Sequence, residues 1–328
     1  MKLKSCGILA LVFAGLLGTS PAEIQVQSGQ KVAFLGDSIT QFGWSNPEGY
    51  VHLVTDALEF AGVKIQPLPV GISGNTSRNM LDRVDAQVIS RKADWMTLSC
   101  GVNDVWHHDA THVDLEPYKA NITAIVDKAQ AAGIKVVILT ATMIQEKDNP
   151  DNQALVAYND FLRQLAKERN LPLADLNTRC WDVLKANPPA PGSTRLTVDG
   201  VHMNPDGNML MARGILEAFG MEKAQIDAFE KKWRSLPDAV GVPANLSLGI
   251  QTPVRTSAGG YAKLNEAARQ QKISLQQLAG SYQFEALKTV LKAHEADSDL
   301  TLTRFQSDKA LQSEFQEVYS RKIQEAAK

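Results

Sequence analysis

Between residues 31 and about 220, short apolar runs alternate with longer segments whose apolar positions recur at helical spacing. Five runs predict strands: 31–36, 65–70, 95–100, 135–139 and a shorter one at 171–176. The intervening segments predict helices at about 48–61, 78–91, 116–132 and 152–169. In the last of these Leu155, Phe161, Leu162 and Leu165 sit near one helical face. Asn204 and Pro205 suit the cap and first position of a further helix that runs to about Phe219. Alternating strands and helices imply parallel pairing with right-handed crossovers. The expected fold is therefore α/β: a flavodoxin-like, doubly wound, parallel five-stranded sheet that places ligands at the carboxyl ends of its strands.

Beyond Phe219 the pattern changes. Residues 221–236 predict a helix. Pro237, Pro243, Pro253 and the Gly259-Gly260 pair predict an irregular connection over 237–260. Residues 261–328 are rich in Ala, Gln, Glu and Lys. Two amphipathic helices are marked there, by Phe284, Leu287 and Leu291 and by Leu311, Phe315 and Val318. No repeat of solenoid length is present. The expectation for residues 221–328 is a helical extension that buttresses a main domain over 23–220, with self-association through the extension as an alternative.

The N-terminus reads as a signal peptide over residues 1–22. Lys2 and Lys4 precede the uncharged run Gly7 to Gly18, and Ser20-Pro21-Ala22 is a small-residue cleavage site. The run is shorter than the ~20 apolar residues that span a bilayer. Cys6 lies inside it, which disfavours a lipid-modified N-terminal cysteine. A secreted or periplasmic protein without membrane insertion is expected. Cleavage would remove two of the 34 basic residues and none of the 36 acids, leaving a net charge of −4. A nucleic-acid partner is not expected, because phosphate neutralisation needs a basic surface. At 44% hydrophobic and 21% charged residues, the 328-residue chain has an ordinary globular balance and can fold without metals or disulfides. Cys100 and Cys180 would remain after cleavage. Export permits them to pair, but two cysteines in a large domain read first as buried thiols.

Four motifs follow the predicted strands or lie in the last loop. Gly36-Asp37-Ser38-Ile39-Thr40 puts a serine on a strand-to-helix turn; its plainer role is a helix N-cap. Gly71-Ile72-Ser73-Gly74-Asn75-Thr76 can present the Gly74 N–H with no side chain in the way, or be an ordinary glycine-rich turn. Gly101-Val102-Asn103-Asp104 offers a side-chain amide donor, or a loop bonded to itself. Asp199-Gly200-Val201-His202 can hold the aspartate against the imidazole so that its far nitrogen faces Ser38, the logic of a Ser-His-Asp relay.

These four blocks, in this order, resemble those of the SGNH/GDSL hydrolase family over about residues 31–220. The resemblance implies Ser38 as nucleophile, His202 as its base and Asp199 as the orienting acid. It also implies an oxyanion hole from Ser38, Gly74 and Asn103. The implied reaction is hydrolysis of a carboxylic ester through an acyl-enzyme, with no cofactor and no metal. The C-terminal hundred residues depart from the minimal family pattern.

For the substrate, small-molecule or polysaccharide esters, O-acetyl groups on carbohydrates are the first expectation. Trp44, Asn46 and Tyr50 follow the nucleophile as sugar-facing candidates, and Trp106 is a further contact. The alternatives are a lysophospholipase or acyl thioesterase, or a non-catalytic, degenerate carbohydrate-binding module. His107, His108, Asp109 and His112 have metal-ligand types and spacing. No general-base glutamate accompanies them, and a polar rim of the crevice is the preferred reading.

Overall fold

Continuous apolar runs build the centre of the molecule, as strands buried on both faces require. The computed structural model describes residues 24–189, 193–242, 254–294, 305 and 308–328. The signal-peptide segment lies outside them, as does much of the predicted irregular connection. The main sheet consists of β1 (Lys31–Gly36), β2 (Gln66–Gly71), β3 (Trp95–Ser99), β4 (Lys135–Leu139) and β5 (Leu173–Ala174). All pairs are parallel and the order is β2-β1-β3-β4-β5, the flavodoxin-like arrangement expected. Every residue of β3 is buried, whereas β2 is mostly half-exposed. Pro67 and Pro69 fall on β2, an edge strand, where a missing N–H is tolerated.

Helices cover both faces: α1 (Ser38–Ser45), α2 (Tyr50–Phe60), α3 (Ser77–Val84), α4 (Val102–Trp106), α5 (Leu115–Ala131), α6 (Pro150–Glu168), α7 (Leu176–Ala186) and α8 (Pro205–Ala218). The expected helix over 78–91 is α3 continued by a π-turn at Asp85–Ile89. The predicted fifth strand shrinks to two residues because Asp175 caps α7 by accepting from the Thr178 N–H. Asn204 caps α8 and Pro205 occupies its first turn, as expected.

The extension holds α9 (Lys223–Ser235), β6 (Val240–Val242), β7 (Val254–Thr256), α10 (Ala258–Gln270), α11 (Leu275–Ala293) and α12 (Lys309–Ala326). The expectation of irregular chain over 237–260 is corrected in part. β6 and β7 pair antiparallel, and the Gly259-Gly260 pair lies inside α10, whose first turn is capped by the Ser257 hydroxyl accepting from Gly260 N–H. Packing does not break at residue 220. Ile226, Phe229, Trp233, Val240 and Tyr261 belong to the main core. A second cluster forms farther out around Leu264, Val290, Phe305, Phe315 and Ile323. The hairpin and α10 therefore join this smaller core to the main one.

Candidate active site

The turn after β1 separates the two roles open to its serine. Asp37 takes the N-cap position of α1, its carboxylate accepting from the Ile39 N–H at 2.9 Å. The Ser38 hydroxyl is left to face His202, whose Nε2 is 2.8 Å away. Ser38 is 8% exposed. As the first residue of α1, its N–H has no intrahelical acceptor.

His202 sits on a tight hairpin between α7 and α8, closed by a bridge between Thr197 and Met203. Asp199 accepts at Oδ1 from the N–H groups of Val201 and His202, at 3.0 and 2.9 Å, and its Oδ2 is 2.6 Å from His202 Nδ1. Burial pushes the Asp199 carboxyl up, but the hydrogen bonds from His202 and Val201 outweigh it and hold the group below its ordinary range. An ionised carboxylate only accepts, so the His202 proton lies on Nδ1 and the Nε2 lone pair faces the Ser38 hydroxyl. Gly200 has φ +101° in this hairpin, a conformation that L side chains rarely adopt.

The hairpin is clamped from the loop after β4. Glu146 Oε1 accepts from the N–H groups of Leu196 and Thr197 and from the Thr197 hydroxyl, each at 2.7 Å. Its Oε2 accepts from Arg195 N–H. The Gln145 N–H also donates to the Gly200 carbonyl. Nothing in the local pattern around Glu146 signals this role, because its partners lie some 50 residues later.

The second and third motifs are tied to the first. Arg83 donates to the carbonyls of Gly36 and Val70 and to the Asn75 side chain. Burial lowers its pKa to about 10. Gln41 Oε1 accepts from both the N–H and hydroxyl of Ser73. Gly74 has φ +75° and open space where a Cβ would stand, so its N–H faces no side chain of its own. Asn103 is buried, and its amide donates one hydrogen to the Asn75 carbonyl at 3.1 Å. An amide nitrogen carries two, so a second donor remains. Asp104 accepts from the Ser77 N–H at 2.9 Å, holding the start of α3.

A cleft of about 510 Å³ opens beside the relay, lined in part by Phe42, Asn46, Glu48, Asp199 and His202. The ring of Phe42 packs edge-on against His202 at 4.9 Å between centroids. Sequence reasoning missed Phe42, although it lies one helical turn after Ser38 and so shares its face. Asn46 lines the cleft. Trp44 does not: it is half-buried and stacks on His52 at 4.4 Å. Tyr50 is corrected outright, since it is fully buried and donates to the Thr40 hydroxyl. Trp106 is 37% exposed at the end of α4. His107, His108 and His112 do not converge, being bound respectively to Thr111, Asp151 and Asp114. Cys100 and Cys180 are free and buried, and burial pushes both thiols up. Among the described residues no helix is long and apolar enough to cross a membrane.

A flavodoxin-like sheet with a Ser-His-Asp relay at its strand ends defines a serine hydrolase of the SGNH type. The GDSL-like Lipase/Acylhydrolase family matches residues 34–210, and the chain belongs to that family of ester-hydrolysing serine hydrolases. An acetylxylan esterase of Geobacillus stearothermophilus is 31% identical over 218 residues, which is 61% of this chain and 98% of that protein. The crystal structure of Axe2, an acetylxylan esterase of the same organism, superposes with a TM-score of 0.54 at 29% identity, covering 60% of this chain and 97% of its own. That of the acetyl xylan esterase AlAXEase gives a TM-score of 0.53 at 34% identity, covering 57% and 98%. Solved Axe2 variants with a serine, an aspartate or a histidine exchanged for alanine are described as catalytic mutants.

Proposed function

We propose that this protein is an exported esterase that removes O-acetyl groups from carbohydrates, with Ser38 as nucleophile, His202 as base and Asp199 as its orienting partner. The observation that carries the reading is the unbroken chain of hydrogen bonds from Asp199 through His202 to Ser38. The loss of a serine, an aspartate or a histidine in the catalytic mutants of Axe2 supports the same three residue types.

In this reading Ser38 attacks the acetyl carbonyl and His202 Nε2 takes the hydroxyl proton. The tetrahedral oxyanion is met by the N–H groups of Ser38 and Gly74 and the free hydrogen of the Asn103 amide. One such donor is worth about 3 kcal/mol of transition-state stabilisation. His202 then passes its proton to the leaving sugar oxygen, which departs as an alcohol and leaves acetyl-Ser38. Water, deprotonated by His202, releases acetate and restores the serine. The carbohydrate assignment rests on the acetylxylan esterases that the chain resembles and on a cleft lined by both polar and aromatic groups. Export rests on the leader-like residues 1–22, and the division into residues 23–220 and 221–328 on the extent of the family match.

The test is release of acetate from a panel of acetylated sugars and xylo-oligosaccharides by the wild type and by Ser38→Ala. Wild-type release and a fall of about 10⁴-fold or more in the variant are expected. A folded Ser38→Ala protein with full activity would refute the assignment.

A further inference from the structure

The cleft in front of the relay has a second wall that the family match does not reach. One side is built from Phe42, Asn46 and Glu48, around the end of α1. The other comes from the extension: Gly241 on β6, Arg255 on β7 and Tyr261 on α10. The Geobacillus relative is matched over 98% of its own length by 61% of this chain, and the family match ends at residue 210. This wall is therefore an addition to the shared hydrolase unit.

Two charged groups form a loose ion pair across the cleft, at a separation that leaves their hydrogen-bonding capacity unspent. Glu48 has a buried Oε2 with no hydrogen-bond partner, and Arg255 Nη2 stands 3.7 Å from it. That gap is too long for a hydrogen bond. Arg255 is held in place from behind, donating to the carbonyls of Asp238 and Ala239. Gly241 N–H lies 3.4 Å from Glu48 Oε1. A buried carboxylate oxygen without a donor is costly. An apolar acyl chain in this place would leave it unsatisfied. A hydroxyl group donates and accepts at once, so it can donate a hydrogen bond to the Glu48 carboxylate, whose side chain keeps 17% exposure, and accept one from Arg255, which keeps 35%. Phe42 adds an aromatic surface on the His202 side, suited to the apolar face of a sugar ring.

We propose that the extension makes this enzyme selective for polyhydroxylated alcohols, with Glu48 and Arg255 as specificity-determining residues that bind sugar hydroxyls next to the scissile ester. The inference rests on the carbohydrate esterase reading and assigns the alcohol side of its substrate to this wall.

The experiment uses the full-length mature protein and compares kcat/KM for an acetylated xylo-oligosaccharide with that for 4-nitrophenyl acetate, which lacks sugar hydroxyls. In Glu48→Gln and Arg255→Lys, the ratio of oligosaccharide to nitrophenyl ester is expected to fall about tenfold or more, chiefly through KM. Glu48→Gln preserves size and leaves the Arg255 bonds to Asp238 and Ala239 intact, whereas Arg255→Lys keeps the charge but loses the two-pronged anchor, so its thermal unfolding is measured alongside. Arg255→Ala is expected to fall further, and its thermal unfolding shows whether the hairpin stays docked. A ratio unchanged in Glu48→Gln and Arg255→Lys overturns the inference, as does an equal loss on both substrates. Wild-type protein that cleaves nitrophenyl acetate but no acetylated sugar would instead sink the carbohydrate reading, and the inference with it.

Discussion

Replacing Glu146 by alanine would remove the clamp on the hairpin that carries Asp199 and His202, although Glu146 bonds to neither. Four donors lose their acceptor: the N–H groups of Arg195, Leu196 and Thr197 and the Thr197 hydroxyl. Leu196 and Thr197 are each 2% exposed, so water cannot readily replace the carboxylate at their N–H groups. Arg195 is half-exposed and the hydroxyl can rotate, so these two recover much of their loss. Two buried N–H groups left unsatisfied, at about 1–3 kcal/mol each, make a destabilisation of about 3 kcal/mol. For a domain of this size that lowers Tm by roughly 10 °C. Glu146→Gln separates the two oxygens. It retains Oε1 with three of the four bonds and turns an amide NH₂ toward the Arg195 N–H, for a cost of about 1 kcal/mol. A shift of the hairpin by about 1 Å would also cost about 10²-fold in kcat/KM. Differential scanning calorimetry, with kcat/KM measured well below the transition, should rank wild type above Gln and Gln above Ala. An alanine variant within about 1 °C of wild type would refute the reasoning.

Three further outcomes follow from the same geometry. Burial raises the Asp37 carboxyl from 3.8 to about 6, the Ile39 N–H and His202 opposing and Asp104 adding to it. The stability this contributes is fully present below 3.8 and lost as the pH rises through about 6, a change of about 3 kcal/mol. Asp37→Asn keeps the acceptor for Ile39. Its stability relative to wild type should therefore grow by up to about 3 kcal/mol between about pH 4 and pH 8 in denaturant titrations, and a pH-independent difference would contradict the shift. Cys100 and Cys180 should resist a thiol reagent in the native protein and react after denaturation, with rapid native labelling as the contrary result. The cleft's buried carboxylate and charged rim predict faster cleavage of 4-nitrophenyl acetate than of the octanoate, and a preference for octanoate would move the assignment to lipid esters.

How much of this was legible depended on whether the cause was local. β1, β3 and β4 are buried runs and announce themselves, because parallel strands covered on both faces need continuous apolar side chains. The cap at Asn204-Pro205 was legible for a similar reason, its chemistry being contained within one turn. The β6–β7 hairpin was not. Its strands are three residues long, too short to display a period of two, and the prolines around them point to loop. Tyr50 misled because an aromatic shortly after the candidate nucleophile suits a sugar in sequence, while in space α2 turns it into the core beneath Thr40.

The deepest gap lies in residues whose function is set by partners far along the chain. Glu146 bonds to backbone N–H groups, which every residue carries, so nothing in its own neighbourhood could mark them. Glu48 and Arg255 are separated by more than 200 positions and meet only because the hairpin docks over the end of α1. The four motifs were readable because chemistry constrains their residue types. The wall proposed to select among esters is built from ordinary charged residues, and tertiary packing alone brings those together. On the proposed reading selectivity is encoded at longer range than catalysis, and changes to the β6–β7 hairpin should alter substrate choice before they alter ester hydrolysis itself.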